Sequence, residues 1–324
     1  MTLRTILNPG VYHGVNKKPP FFEGWYYKLV SADERHKLAI IPGVILGQDA
    51  HSFIQVLDGV SGETAYVKFP LQEFQADDRR FSIELGKSRF DDRHLSLALE
   101  DSHCQLSGEI QLGTLNPWPV TLLSPGIMGW YAWVPRMECY HGVLSFSHSL
   151  QGSLTLNGTT MDFSGGKGYI EKDWGQAFPS AWVWFQSNHF SGVSACITAS
   201  VAIIPWVGQS FRGFIVGFWL DGTLHRFTTY LNSKIETLEI SDAHVTWVLR
   251  NRTHRLKMDV FRAEGGLLLG PTHLDMGKRV METLNATIRV KLETLVGEVV
   301  YEGTGEHGGL EVIGDLQRLL ADKP

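Results

Sequence analysis

The chain has 324 residues, 43% of them hydrophobic and 19% charged, with a formal net charge of -5. This length exceeds what one core usually serves, so two domains are expected. A negative balance with no Lys/Arg cluster excludes a nucleic-acid footprint.

From the N-terminus, Pro9, Gly10 and Gly14 interrupt residues 1–18 before any apolar run forms, which argues against a secretory leader. Cys104, Cys139 and Cys196 are widely spaced and form no Cys-x-x-Cys pair, as expected of reduced thiols in a cytoplasmic protein. Period-two alternation then dominates. Phe81–Leu85, Leu95–Leu99, Val245–Leu249 and Leu256–Val260 each place apolar residues on one strand face, with Gly and Asp-Gly between the runs. Helical periodicity is confined to the end, where Leu310, Ile313, Leu316 and Leu320 line one side of a predicted short helix.

Two uncharged stretches, Ile110–Pro135 and Phe190–Phe211, are interrupted by prolines or polar residues and are not expected to span a membrane as helices. The second reads as strand, turn, strand. The first holds a Pro-rich apolar loop, Leu115–Pro135, with Trp118, Ile127, Met128, Trp130, Tyr131 and Trp133. Such a loop is expected to be buried between the domains, or to serve as a lid or a peripheral membrane contact.

The two halves resemble each other. AIIP occurs at residues 39–42 and again at 202–205, and Asp58-Gly59 recurs at the same offset as Asp221-Gly222. Trp-bearing segments precede both (GWYYK, 24–28; AWVWFQ, 181–186), and GSLTLNG and SGGKGYI in the first half resemble GEVVYEG and HGGLEVI in the second. The order is kept throughout, so two tandem all-β antiparallel domains are expected, at 1–175 and 176–324. Each is large enough for a barrel or sandwich of about eight to ten strands, with little helix.

Differences between the halves point to function. Leu284, Ala286, Ile288, Val290 and Leu292 line a packed strand face, whereas the matching offset in the first half holds Cys139, His141, Val143, Ser145 and Ser147. A barrel interior lined by those polar groups suggests a ligand cavity, although a one-residue slip would invert the assignment. Tyr169 and Glu171 share one face of a strand, and their matches by offset are Val312 and Gly314. A carboxyl beside Trp174, Trp182 and Trp184 is expected to have a raised pKa and to act as a general acid, with indole faces stabilising a developing cation. The competing reading makes Glu171-Lys172-Asp173 a hydrated turn and the tryptophans plain core.

No metal site is expected, because the 13 His are scattered and no third ligand accompanies Cys139 and His141. No Gly-x-Ser-x-Gly elbow and no phosphate loop is present.

FEGWYYK (22–28), MECYHG (137–142) and above all GYIEKDWGQAFPSAWVWFQSN (168–188) resemble the tocopherol cyclase family. Asp173 and Ser187 depart from the Asn and Cys of plant members. The Gly-Tyr-x-acid segment is also distantly similar to lipocalin-like carotenoid hydratases, which have two lipocalin-like domains. The resemblance implies cofactor-free cyclisation of a prenylated hydroquinone, a small hydrophobic substrate, to a chromanol. It implies Glu171 as the acid, Tyr169 as its partner, Asp173 beside them, and His141 or Glu138 orienting the phenol. Trp174, Trp182 and Trp184 would line the cation site, with Trp25, Tyr27, Gln186 and Asn188 as further substrate-binding candidates. A hydratase on the same scaffold and a non-catalytic carrier are the alternatives. No oligomeric state follows from the sequence.

Overall fold

The structure, a computed structural model, describes residues 2–321; the outermost ends of the two expected halves, 1 and 322–324, lie outside the described residues. Antiparallel strands account for almost everything. The chain divides into two compact units. One is the chain up to Phe178 together with Gly266–Arg279, and the other is Pro179–Gly265 with the chain from Val280 on.

In the first unit the strands are β1 (Phe21–Val30), β2 (Lys37–Leu46), β3 (His51–Asp58), β4 (Thr64–Phe69), β5 (Phe74–Ala76), β6 (Ser82–Leu85), β7 (Ser88–Asp91), β8 (His94–Glu100), β9 (Gln105–Leu112), β10 (Cys139–Leu156), β11 (Thr159–Asp162) and β12 (Lys167–Gly175). Their order is β4-β3-β2-β1-β12-β10-β9-β8-β7-β6-β5, with β11 on β10. The path ends at β4 and β5, so among the described residues hydrogen bonding does not close it into a barrel. Alternation works as expected: Trp25, Tyr27, Leu29, Ile54, Leu97 and Ile170 are among the side chains of one buried core.

The second unit contains β13 (Ala181–Ser187), β14 (His189–Phe190), β15 (Ala195–Trp206), β16 (Gln209–Leu220), β17 (Thr223–Thr228), β18 (Lys234–Ile240), β19 (His244–Arg250) and β20 (His254–Phe261). After the excursion that includes β21 (Gly266–Gly270) come β22 (Lys278–Thr294) and β23 (Val299–Gly314). The order is β17-β16-β15-β13-β23-β22-β20-β19-β18. In both units the first and last long strands are neighbours (β1 with β12, β13 with β23) and hairpins spread outward from that pair. This shared wrap is the duplication that the sequence carries.

Its details differ from expectation. Ala39 pairs with Leu57, next to the Asp58-Gly59 turn, whereas Ala202 pairs with Gly213, far from Asp221-Gly222. The Asp-Gly turns are therefore equivalent and the AIIP runs are not. The final helix is only Leu316–Ala321, because Leu310 and Ile313 belong to β23. The halves are also not contiguous, as 1–175 and 176–324 would be. Residues 266–279 return to the first unit, where the Gln55 side chain donates to the Leu269 carbonyl and accepts from its N–H, both at 2.8 Å. No helix among the described residues is long and apolar enough to cross a membrane.

The N-terminal segment is pinned by a buried charge. Lys172 and Glu23, both with fully buried side chains, form an ion pair. The Lys172 ammonium also meets the Pro9 and Val11 carbonyls and His13 Nδ1, and lies 4.6 and 4.9 Å from the ring centroids of Trp25 and Trp174. His13 Nε2 is 2.9 Å from the Thr5 carbonyl and the ring stacks on Trp174 at 4.2 Å. Burial and the Lys172 charge lower the His13 pKa, so the neutral tautomer accepts from Lys172 and donates to Thr5. Burial pushes the Lys172 pKa down to about 8, with Glu23 opposing that fall.

Lys172→Met leaves the buried Glu23 without its counter-charge and is expected to cost ~3 kcal/mol or more, read from the urea midpoint. Adding Glu23→Gln should recover part of the loss. A double variant no more stable than the single one would rule out the ion pair as the pin.

Candidate active site

Strand β12 pairs on one side with β1 and on the other with β10. Its side chains must alternate, and they sort sharply. Ile170, Lys172 and Trp174 lie on the face of Trp25 and Tyr27. Tyr169, Glu171 and Asp173 lie on the other face, opposite Lys28, Tyr26 and Gly24 of β1, with His141 of β10 level with Asp173.

On that second face four polar side chains form a chain. The Tyr169 hydroxyl donates to Glu171 Oε2 at 2.5 Å. His141 Nε2 stands 3.6 Å from the same oxygen. His141 Nδ1 hydrogen-bonds Asp173 Oδ1 at 2.9 Å. Tyr169 and Glu171 are buried, and Asp173, at 26% side-chain exposure, is the member nearest to water. Burial opposes a charge on His141, but the Asp173 and Glu171 carboxylates and the hydrogen bond to Asp173 outweigh it and lift its pKa to about 9. At neutral pH the imidazole is therefore protonated, and its Nε2–H, which has no hydrogen-bond partner, points toward Glu171. The arrangement is a chain of four titratable groups, Asp173, His141, Glu171 and Tyr169, hereafter the relay.

His141, Glu171 and Asp173 also offer ligand atoms within 4.8 Å of one another. Within that cluster Asp173 Oδ1 is hydrogen-bonded to His141 Nδ1 at 2.9 Å.

The sequence profile of the family described as tocopherol cyclase-like matches residues 99–314. This chain belongs to the tocopherol cyclase-like family. The chloroplastic tocopherol cyclase of Zea mays is 24% identical over 199 residues, covering 57% of this chain and 41% of that protein, so the chain matches less than half of the plant relative's length. Among solved structures, CghA with Sch210972 superposes at a TM-score of 0.57 with 10% identity, covering 92% of this chain and 89% of that one. Kievitone hydratase from Nectria haematococca gives 0.51 with 13% identity, covering 94% of both. At these identities the two structures support the all-β, lipocalin-like fold.

The family motifs contribute unequally to the relay. From the long motif Tyr169, Glu171 and Asp173 enter it, and from MECYHG only His141 does. Trp25, Tyr27 and Trp174, expected at the substrate, sit on the opposite face. Trp25 and Tyr27 are core, with the Trp25 indole donating to the Gly10 carbonyl, and Trp174 packs His13 and Lys172. Strand alternation excludes them from the Glu171 face. Glu138 is 3.5 Å from His273 rather than in the relay, and burial raises its pKa. Trp182, Trp184 and Gln186 lie in the second unit, on the face of β13 opposite Val183 and Phe185, and Asn188 is buried just beyond that strand.

Two further expectations fail. His141 does not line the interior of its own unit, because Leu144, Leu150 and Leu154 fill the core side of β10 and two bulges shift the register between Val143 and His148. Nor is the acid confined to the first half. Glu311, opposite Trp184 across β23 and β13, accepts from the Trp182 indole at 2.5 Å. Sequence reading also missed Lys28, fully buried and directly across from Tyr169, as well as His13, Glu23 and Lys172. The alternation of GWYYK could have separated Tyr26 and Lys28 from Trp25 and Tyr27.

Because the folded pKa of His141 is raised from 6.5 to about 9, its contribution to stability is complete below pH 6.5 and is lost as pH climbs toward 9. Lys172, lowered to about 8, works in the opposite sense above pH 8. Between pH 6.5 and 8 unfolding free energy should therefore fall by up to about 1.4 kcal/mol per pH unit. His141→Gln should flatten that slope in urea titrations. An unchanged slope would show that His141 is not charged in the fold.

Proposed function

We propose that this site is a cofactor-free acid catalyst that protonates the trisubstituted alkene of a prenylated hydroquinone and closes a chromanol ring. The observation that carries the reading is the buried chain Tyr169–Glu171–His141–Asp173 with a proton resident on His141. An imidazolium of pKa about 9 is too weak an acid to protonate an alkene directly. Transfer of its proton to Glu171 makes a stronger acid, and Asp173 holds the imidazole at Nδ1 throughout. Glu171 delivers that proton to the less substituted alkene carbon, giving a tertiary cation. The phenol oxygen attacks the cation, and the phenolic proton returns through Glu171 to His141. Bonds and protons balance without any other reactant. Tyr26 and Val143, level with Glu171 on the same face, supply apolar surface beside the acid. Tyr169 holds the carboxylate between proton transfers.

Incubation of the chain with a phytyl-type quinol in heavy water should place one deuterium on the former alkene carbon of a chromanol. A tertiary alcohol in place of the ring would identify a hydratase, with water as nucleophile. No product from any prenylated quinol would sink the cyclase reading.

Glu171→Gln should lower kcat by about 10²–10⁴ while the quinol still binds, whereas a carrier would show no turnover to lose. Asp173→Asn should move the alkaline limb of the rate profile, expected near pH 9, to lower pH, because it removes the charge that sustains the imidazolium.

A further inference from the structure

The loop between β9 and β10 contains a feature that the relay does not use. From Thr114 to Pro135 no side chain is charged. Val120 and Pro125 form a bridge, and Thr121 and Ser124 exchange backbone hydrogen bonds of 3.1 and 3.2 Å. This tight hairpin places Leu122 and Leu123 at its tip, 63% and 88% exposed. Trp133 braces it, its indole N–H donating to the Leu122 carbonyl at 3.0 Å while the ring stays 38% exposed. Trp130, 45% exposed, stacks on Tyr131 with centroids 4.1 Å apart. The base of the loop is firmly held. Trp118 is buried against Phe146, its backbone N–H donating to the Val143 carbonyl, and the Phe146 backbone N–H donates to the Asn116 carbonyl.

We propose that this finger inserts into the surface of a lipid bilayer, with Leu122 and Leu123 in the acyl region and Trp130 and Trp133 at headgroup depth. A stable protein interface engages about 20–30 residues a side and uses charge to fix its register. Four apolar side chains on a convex, uncharged tip provide neither. A bilayer requires only apolar side chains backed by interfacial tryptophans. The hydrogen bonds at the base and at Trp133 hold the tip in place before it meets lipid, so insertion orders little new chain. The loop runs on into β10, the strand of His141. If the function proposed above holds, docking brings the acid to the phase in which a prenylated substrate dissolves. Binding itself does not depend on that reading.

The test is flotation of the full chain with vesicles of phosphatidylcholine alone and of phosphatidylcholine with phosphatidylglycerol. The chain should float with both, with little effect of salt. The L122D/L123D double variant should lose at least about tenfold in partitioning, while L122M/L123M retains it. Both variants should melt as the unsubstituted chain does, since the tip contributes nothing to a core. A chain that stays behind with both vesicle types, or an Asp variant that floats equally well, would overturn the proposal. So would self-association that L122D/L123D abolishes in the absence of vesicle binding, which would assign the finger to a second copy.

Discussion

Strand β12 lies between β1 and β10 with its backbone hydrogen-bonded on both sides, and that constraint decides where each of its side chains points. A slip of one residue would carry Lys172 to the relay face and Glu171 into the apolar core of the first unit. The pattern resists such a slip. Lys172 is fully buried and satisfied by Glu23, two carbonyls, His13 and two indole faces, which are available on one face only. The pin on one face thereby sets the register of the relay on the other.

The two faces are also linked electrostatically. Residues 171–173 alternate in sign across the sheet as carboxylate, ammonium and carboxylate. Asp173, although on the far face, helps to sustain the charge on Lys172. The same Asp173 sustains the imidazolium of His141 at closer range. A buried ion pair is often no more stabilising than an apolar substitute would be. Its value in this fold is specificity, because it selects one register and ties residues 9–13 across the strands that carry the site.

Much of this was legible in the sequence. Strict alternation gave the cores of both units, the Asp-Gly turns marked the duplication, and the Gly-Tyr-x-acid spacing placed Tyr169 beside Glu171. The rest depends on pairing that no sequence prints. Trp25 and Tyr27 looked like site residues because they lie in a family motif, and Trp174 because it adjoins Asp173 along the chain, yet all three lie on the face opposite Glu171. His141 was found through its polarity, but its partner is Asp173 across β12, a contact fixed by register rather than by spacing. The excursion of residues 266–279 to the first unit depends on the side chain of Gln55, far away in sequence. Lys172 was hidden by composition, since a lysine between two acids reads as a solvated turn until both its neighbouring strands are known.

The two units also carry comparable carboxyls. Each unit places a glutamate on the face of its last strand that turns away from its own core, Glu171 on β12 and Glu311 on β23. Their neighbours differ: Glu311 faces the buried carboxyl of Glu282 across β22, whereas Glu171 faces Val143 across β10. Glu311 is held by the Trp182 indole N–H, a donor that neither releases its proton at any relevant pH nor accepts one. That contact fixes the orientation of the indole. Glu171 is met by a phenol and by an imidazole whose charge a second carboxylate maintains. Both groups exchange protons. Each unit thus carries a glutamate on the face of its last strand away from its own core, and what sets Glu171 apart is the pair His141 and Asp173.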